Sequence, residues 1–414
     1  MIGSGIALRP ALSRGFAAAL LVAASACLVE RPAAGAAPGA AAGSTHSPAR
    51  LPAARAPAAD DFQRGVSYAH VHRRDLGYGS AASRASLVRL RDLGVEWISI
   101  TPFGYQETVR STQIIFRGDP SLRDSALLRE LRAIRGLGMK SILKPHLWGG
   151  DFYQGRWSGE IRMASEAEWE TWFRSYETFI LHFAALAERG GADALCVGSE
   201  LGAATESKPD RWRQLIAKVR SHYHGPITYA ANWYGEFERV PFWDVVDWIG
   251  VNAYFNLSRS LTPSAAEIER AWAPIASRME SLSRRWRRPI VLTEVGFRSV
   301  DRPAALTHGW PEFDQDPRPN PAAQAACYEG TFRALWGKPW LRGLYWWKYY
   351  SSPDGEGPEE ADFTPYGKPA EAVLSAYYRG EPLPRDLDKS APGAEHGGQS
   401  GSSARPSRSS SGER

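Results

Sequence analysis

Ala194-Leu195-Cys196-Val197-Gly198-Ser199-Glu200 and Ile290-Val291-Leu292-Thr293-Glu294-Val295-Gly296 are short apolar runs, each of which stops at a glutamate. A carboxylate at the end of a buried strand must be paired, protonated or put to use. Working outward from these two, similar apolar runs recur along the chain, at 64–70, 95–101, 140–148, 227–232, 248–254 and 343–349, which makes eight strand candidates. Amphipathic stretches at 82–93, 121–137, 166–189, 210–222, 265–286 and 321–336 fill most of the gaps, with a weak segment at 236–243 as the fifth helix. Strands alternating with longer helical patterns indicate βα units and a parallel sheet. Eight such units over 61–379 predict an α/β fold, a (β/α)8 TIM barrel. A doubly wound sheet is the alternative, but no G-x-G-x-x-G follows the first strand.

The flanks have a different composition. Arg9 and Arg14 precede the apolar stretch 16–24, which is too short to span a bilayer, so residues 1–27 are expected to be an export signal. Ala24-Ser25-Ala26-Cys27 resembles a bacterial lipoprotein cleavage site, although Ala24 stands where Leu is usual. Cys27 is accordingly expected to be lipidated, with plain cleavage after Ala26 as the alternative. Residues 28–60 are an Ala/Pro/Gly-rich linker and 380–414 a Ser/Gly-rich tail, both too poor in large apolar residues to offset ordering entropy. These features predict an exported protein, secreted or held at the cell surface or outer membrane, with a lipid anchor as its only membrane contact.

Composition excludes other classes. The formal charge is +5, but residues 1–59 hold five Arg against one Glu, so the remainder is near neutral. No basic stripe is left to follow a phosphate backbone, and nucleic acid is not an expected partner. Of the three cysteines, Cys196 and Cys327 show no CxxC or Cys/His spacing and are expected to be buried apolar residues. The nine histidines form no H-E-x-x-H pair, so neither a metal nor a cofactor is expected. Sixteen tryptophans supply flat surfaces for packing and for stacking on sugars.

In an eightfold barrel the chemistry lies at the C-terminal ends of the strands. Those ends carry His70, Thr101, His146, Trp148, Glu200, Asn232, Trp233, Asn252, Tyr254, Glu294 and the run Trp346-Trp347-Lys348. Period-two alternation places Glu200 with Ala194, Cys196 and Gly198, and Glu294 with Ile290 and Leu292, on inward faces. Facing carboxylates about 5 Å apart suit retaining glycoside hydrolysis, in which one attacks and the other protonates the leaving oxygen. Lys144 shares the parity of His146, and its ammonium would need a carboxylate partner inside the barrel. It could tune Glu200 or neutralise a structural acid. The loop 301–321 could wall the cleft or be ordinary surface. Trp169, Trp172, Trp212 and Trp286 lie on helical patterns and are expected in the core.

Lys144-Pro145-His146, Val197-Gly198-Ser199-Glu200, Asn252-Ala253-Tyr254 and Leu292-Thr293-Glu294-Val295-Gly296-Phe297 resemble glycoside hydrolase family 113, a family of endo-β-1,4-mannanases within the clan of retaining barrel β-glycosidases. The likeness covers about 62–378. It implies Glu200 as acid/base, Glu294 as nucleophile, Tyr254 as a hydrogen-bond donor to the nucleophile and Trp346 as the floor of the sugar site. His146, Trp148, Asn232 and Asn252 complete the expected substrate contacts. Ser199 departs from the clan, which commonly has Asn before the acid/base to reach the sugar 2-hydroxyl; that contact would pass to Asn232, Asn252 or water. The expected partner is a β-linked hexose polysaccharide, most of all β-mannan, met by a monomer. The competing class is a carbohydrate-binding lipoprotein without catalysis. A third reading pairs both glutamates with Lys144 or Arg298 in a closed ion network.

Overall fold

In the computed structural model, residues 62–119, 121–309, 316–353 and 359–384 are described. The expected signal, Cys27 and linker lie outside them, as do most of the tail and residues 310–315 of the loop 301–321. Among the described residues no helix is long and apolar enough to cross a membrane.

Eight parallel strands close into a barrel. In chain order the strands are β1 (Gln63–Ala69), β2 (Trp97–Ile100), β3 (Phe103–Gln106), β4 (Lys140–Leu143), β5 (His146–Gly149), β6 (Ala194–Ser199), β7 (Ile227–Asn232), β8 (Trp248–Asn252), β9 (Ile290–Val295) and β10 (Leu341–Tyr350). The barrel order is β1-β10-β9-β8-β7-β6-β4-β2, while β3 and β5 form a separate parallel pair. The expected third strand, 140–148, is therefore two. Pro102 and Pro145 cause the break, because proline brings no N–H to a ladder. The chain continues past each: Lys144 N–H donates to the Ile100 carbonyl at 2.8 Å and His146 N–H to that of Pro102 at 2.9 Å. In this way β3 and β5 extend β2 and β4 beyond the barrel mouth.

The helices are α1 (Ala81–Asp92), α2 (Asp124–Gly136), α3 (Glu166–Gly190), α4 (Gly202–Ser207), α5 (Pro209–Arg220), α6 (Glu236–Arg239), α7 (Ala265–Trp286), α8 (Pro321–Leu335) and α9 (Pro369–Arg379). α3 shows why they form. Ser165 accepts from Glu168 N–H while the Glu168 carboxylate accepts from Ser165 N–H, a capping box that satisfies donors at the helix start. Trp169, Trp172, Phe173, Tyr176, Phe179, Ile180 and Phe183 then recur at helical spacing on the buried face. Gly191, at φ 66°, ends it in a left-handed turn. The weak fifth segment proves to be a single turn, α6.

Two cores result. The larger lies between strands and helices, and the smaller fills the barrel with Ile142, Ala194, Cys196, Ala230, Trp248, Val291 and Tyr345. Cys196 and Cys327 are buried free thiols. Trp169, Trp172 and Trp212 are buried, with Trp286 packed partly buried against the larger core.

This core bears out the inward faces of Ala194 and Cys196, grouped with Glu200, but corrects the parity expected for Glu294. Val291 faces the barrel interior, whereas Ile290 and Leu292 face the helices. An extra residue brings Glu294 round: Val251 pairs with Leu292 but Asn252 pairs with Glu294, and the register against β10 slips at the same place. β6 bulges too, since Cys196 pairs with Thr228 but Ser199 with Ala230. Bulges next to active sites re-aim side chains. Parity does hold on the other strands, where Ile142 leads to Lys144, Ala230 to Asn232 and Tyr345 to Trp347.

Candidate active site

The β6 bulge is built from its neighbours. Its two freed carbonyls are taken by side chains: Val197 O accepts from Tyr176 Oη at 2.8 Å and Gly198 O from Cys196 Sγ at 3.1 Å. At Gly198 a Cβ would lie 2.9 Å from Tyr176 Oη and from the Tyr229 ring, so no larger residue fits. Glu200 follows with φ 55°, a left-handed conformation that costs a non-glycine residue about 1–3 kcal/mol. Its N–H donates to Ala230 O at 2.8 Å, and Leu201 N–H donates to Tyr229 Oη at 2.6 Å. Strain of this kind persists only where the surroundings over-determine it, as they do here.

Asn232 Nδ2 and Asn252 Nδ2 both donate to Glu200 Oε1, each at 3.1 Å. The amides cannot be turned round. Asn232 Oδ1 accepts from Tyr234 N–H at 2.7 Å, and Asn252 Oδ1 accepts from Thr293 Oγ1 at 2.8 Å. Glu200 Oε2 has no protein partner among the described residues, and is the oxygen left to carry or receive a proton. Burial first, and then the charge of Glu294, raise the Glu200 carboxyl to about 7; the two amides and Lys144 oppose this.

Glu294 has different company. Its Oε1 accepts from the buried Lys144 ammonium at 2.5 Å and its Oε2 from Tyr254 Oη at 2.7 Å. With both oxygens accepting, the group is arranged as a carboxylate. Lys144 thus faces Glu294 rather than Glu200. Gly296, two residues on, could not hold a Cβ, which would fall 2.4 Å from the Trp347 carbonyl. His146 Nε2 lies 3.6 Å from Glu294 Oε1 and has no hydrogen-bond partner among the described residues. Burial, followed by the Lys144 charge, holds its ring well below the usual histidine range, so it is neutral at pH 7.

One aromatic assignment changes. Trp346 is fully buried, stacked on Tyr328 with ring centroids 3.7 Å apart, and cannot floor a sugar site. Alternation sends Trp347 the other way: its half-buried ring lies parallel to His146 at 6.2 Å, with Lys144 Nζ 6.0 Å from its centroid. The signal was present in the sequence, because Tyr345 belongs to the barrel interior and Trp347 shares its parity. Asn252 is also revised. It is buried and spends its amide on Ser199, Glu200 and Thr293, which makes it a support for Glu200 rather than a sugar contact. Trp148 sits on β5 against Phe103, Phe152 and Tyr153, one step outward from His146.

Glu236 and Tyr229 were not singled out from sequence. Glu236 accepts from Tyr229 Oη at 2.5 Å and from Asn232 N–H at 2.7 Å. An acid four residues beyond Asn232, after a turn at Gly235, was the available cue. Elsewhere at the mouth, His70, His72 and Asp119 lie within ligand distance of one another. His70 already uses both ring nitrogens, Nδ1 toward Tyr78 N–H and Nε2 toward Ser121 Oγ, and burial, then His72, lowers it to about 4.

A closed parallel barrel with glutamates ending its fourth and seventh strands has the architecture of a glycoside hydrolase. The profile of Glycoside Hydrolase Family 113 matches residues 66–368, and the chain belongs to that family. Among solved structures, it is similar to the GH113 β-mannanase of Alicyclobacillus acidocaldarius in complex with ManMIm, at 29% identity and TM-score 0.67, covering 77% of this chain and 97% of that one. A GH113 β-1,4-mannanase complex is similar at 27% identity and TM-score 0.67, covering 77% and 99%. The β-glucuronidase of Ruminococcus gnavus, at 12% identity and TM-score 0.52, covers 77% of this chain and 50% of its own and shares the fold. No curated protein matches by sequence.

Proposed function

We propose that this glycoside hydrolase cleaves β-1,4-mannan by a retaining double displacement. The observation that carries the reading is the unequal treatment of two carboxyl groups in one cleft. Glu294 accepts from an ammonium and a phenol, whereas Glu200 accepts from two amides and burial raises it to about 7. In this reading Glu294 attacks the anomeric carbon while the Glu200 Oε2 proton passes to the glycosidic oxygen. Glu200, now ionised, then takes a proton from the water that releases the sugar from Glu294. His146 Nε2 and the Trp347 face would contact the sugar. Support for mannan comes from the likeness to the solved β-mannanases.

The test is reducing-end release from a panel of soluble β-mannans, β-glucans and xylans. Mannan is expected to be cleaved, and Glu200→Gln and Glu294→Gln should each abolish cleavage. Unaltered hydrolysis in either variant would sink the assignment. Azide should restore turnover to Glu294→Gly and give a product of inverted configuration. We also infer export and lipidation at Cys27, from the pattern of residues 1–27. Partition into detergent that is lost in Cys27→Ala would support this, and an aqueous wild-type protein would refute it.

A further inference from the structure

Glu236 is a buried carboxyl that the reaction above leaves unused. Its hydrogen bonds go to the Tyr229 phenol, the Asn232 amide and the Thr205 hydroxyl rather than to a cation. Burial pushes it up to about 8, and the Glu200 charge adds to that rise. Taking such a group out of water is costly unless it is compensated, so its place calls for a reason. Both of its oxygens lead to Glu200. From Oε1 the chain runs through Tyr229 Oη to Leu201 N–H, the peptide that follows the left-handed residue. From Oε2 it runs through Asn232 N–H, and the side chain of the same Asn232 meets Glu200 Oε1.

We propose that Glu236 is a positioning residue for Glu200, holding its backbone through Tyr229 and its carboxyl through Asn232, with Oε2 left turned toward the glycosidic oxygen. The proposal rests on Glu200 being the acid/base. One carboxyl thereby sets both the place and the orientation of another. Glu236→Gln keeps the volume but sets an amide NH2 against one of the two donors that the carboxyl accepts from, the Tyr229 hydroxyl or the Asn232 N–H. Tyr229→Phe removes the backbone arm alone.

The test compares β-mannan, whose leaving alkoxide needs a proton, with 2,4-dinitrophenyl β-mannoside, whose leaving phenolate needs none, in the full chain. In both variants kcat on mannan should fall about 100-fold, the scale of an acid displaced by about 1 Å, while kcat/KM on the aryl substrate stays within about threefold. Azide, which needs no base to attack the glycosyl-enzyme, should accelerate aryl turnover by the variants. Equal losses on the two substrates would mark a merely structural residue and overturn the proposal. If Glu236→Gln does not fold, Tyr229→Phe carries the same comparison. If the wild type turns over neither substrate, the acid/base reading fails by itself and a crystal structure of the variant decides the clamp. Rotation of the 200–201 peptide or loss of the Asn232 contact would uphold it, whereas unchanged residues 199–202 and 232 would overturn it.

Discussion

Replacing Asn232 by Ala removes one of two donors from Glu200 Oε1 and leaves the backbone N–H of residue 232 on Glu236. The lost bond favours the ionised form of Glu200, so its loss must raise the carboxyl further above its present value of about 7. Hydrogen bonds to charged groups contribute about 1.5–3 kcal/mol. The lower end applies, because Asn252 still donates to the same oxygen at 3.1 Å and water can enter from the cleft. At about 1.4 kcal/mol per unit, the carboxyl should move up by about one unit, to about 8.

The proposed acid works only while protonated, so the alkaline limb of kcat/KM on mannan should move with it. At pH 8 a group titrating near 7 is about one-tenth protonated and one titrating near 8 about half. Activity at pH 8, relative to each protein's own optimum, should therefore rise about fivefold in the variant even though its optimum falls. The assay is a pH series of initial rates at low substrate, with melting curves across the same range to confirm folding. A limb that stays in place or moves to lower pH would refute both the hydrogen-bond argument and the assignment of Glu200 as the group that sets the limb.

Glu200→Gln should reveal what that raised carboxyl costs the fold. A group whose pKa is higher folded than unfolded stabilises below the unfolded value, here 4.5, and that contribution is lost as pH rises through about 7. The variant should thus gain up to about 3 kcal/mol over wild type at pH 8 and nothing at pH 4, measured by urea unfolding. Lys144→Met leaves Glu294 buried without its cation and should cost about 3–5 kcal/mol in the same assay; a stable, active variant would contradict the pairing. Trp346→Ala should cost about 3–5 kcal/mol with KM for mannan unchanged, the mark of a core residue. Trp347→Ala should instead raise KM about tenfold, the equivalent of about 1.4 kcal/mol of ring contact, with little change in stability.

Most of the barrel was legible because period-two and helical patterns report burial, and burial is what closes a barrel. The same logic hid its mouth. Parity assigned Ile290 and Leu292 to the inner face although Val291 is there, because a one-residue bulge at Thr293 restores Glu294 to the cleft without leaving a trace in the alternation. The right residues were found for a wrong local reason. Pro102 and Pro145 were visible as ladder breakers, yet the continuation of both strands into β3 and β5 depends on pairing across them, which no single run shows. Glu236 was invisible because α6 is one turn long, and its purpose appears only when β6 and β7 stand side by side. Trp346 and Trp347 differ in nothing but the face they are dealt.

The proposed division of labour between the carboxyls follows from where the buried Lys144 ammonium points. Lys144 could have served either glutamate as far as sequence was concerned, and the choice decides the chemistry. Beside Glu200 the ammonium would favour the ionised form and leave the leaving oxygen without a proton donor. Beside Glu294, where it sits at 2.5 Å, it would hold the proposed nucleophile ready while Glu200 keeps to amides that orient it without cancelling the effect of burial. Exchanging the two roles would put a cation on the acid and a near-neutral carboxyl on the attack. Ser199 fits the same arrangement: its hydroxyl accepts from Asn252 Nδ2 at 3.2 Å, so the residue before the proposed acid/base helps to aim the donor on Glu200. In the proposed mannan complex the 2-hydroxyl would be left to groups that face the cleft, of which His146 Nε2 is buried and has no hydrogen-bond partner among the described residues.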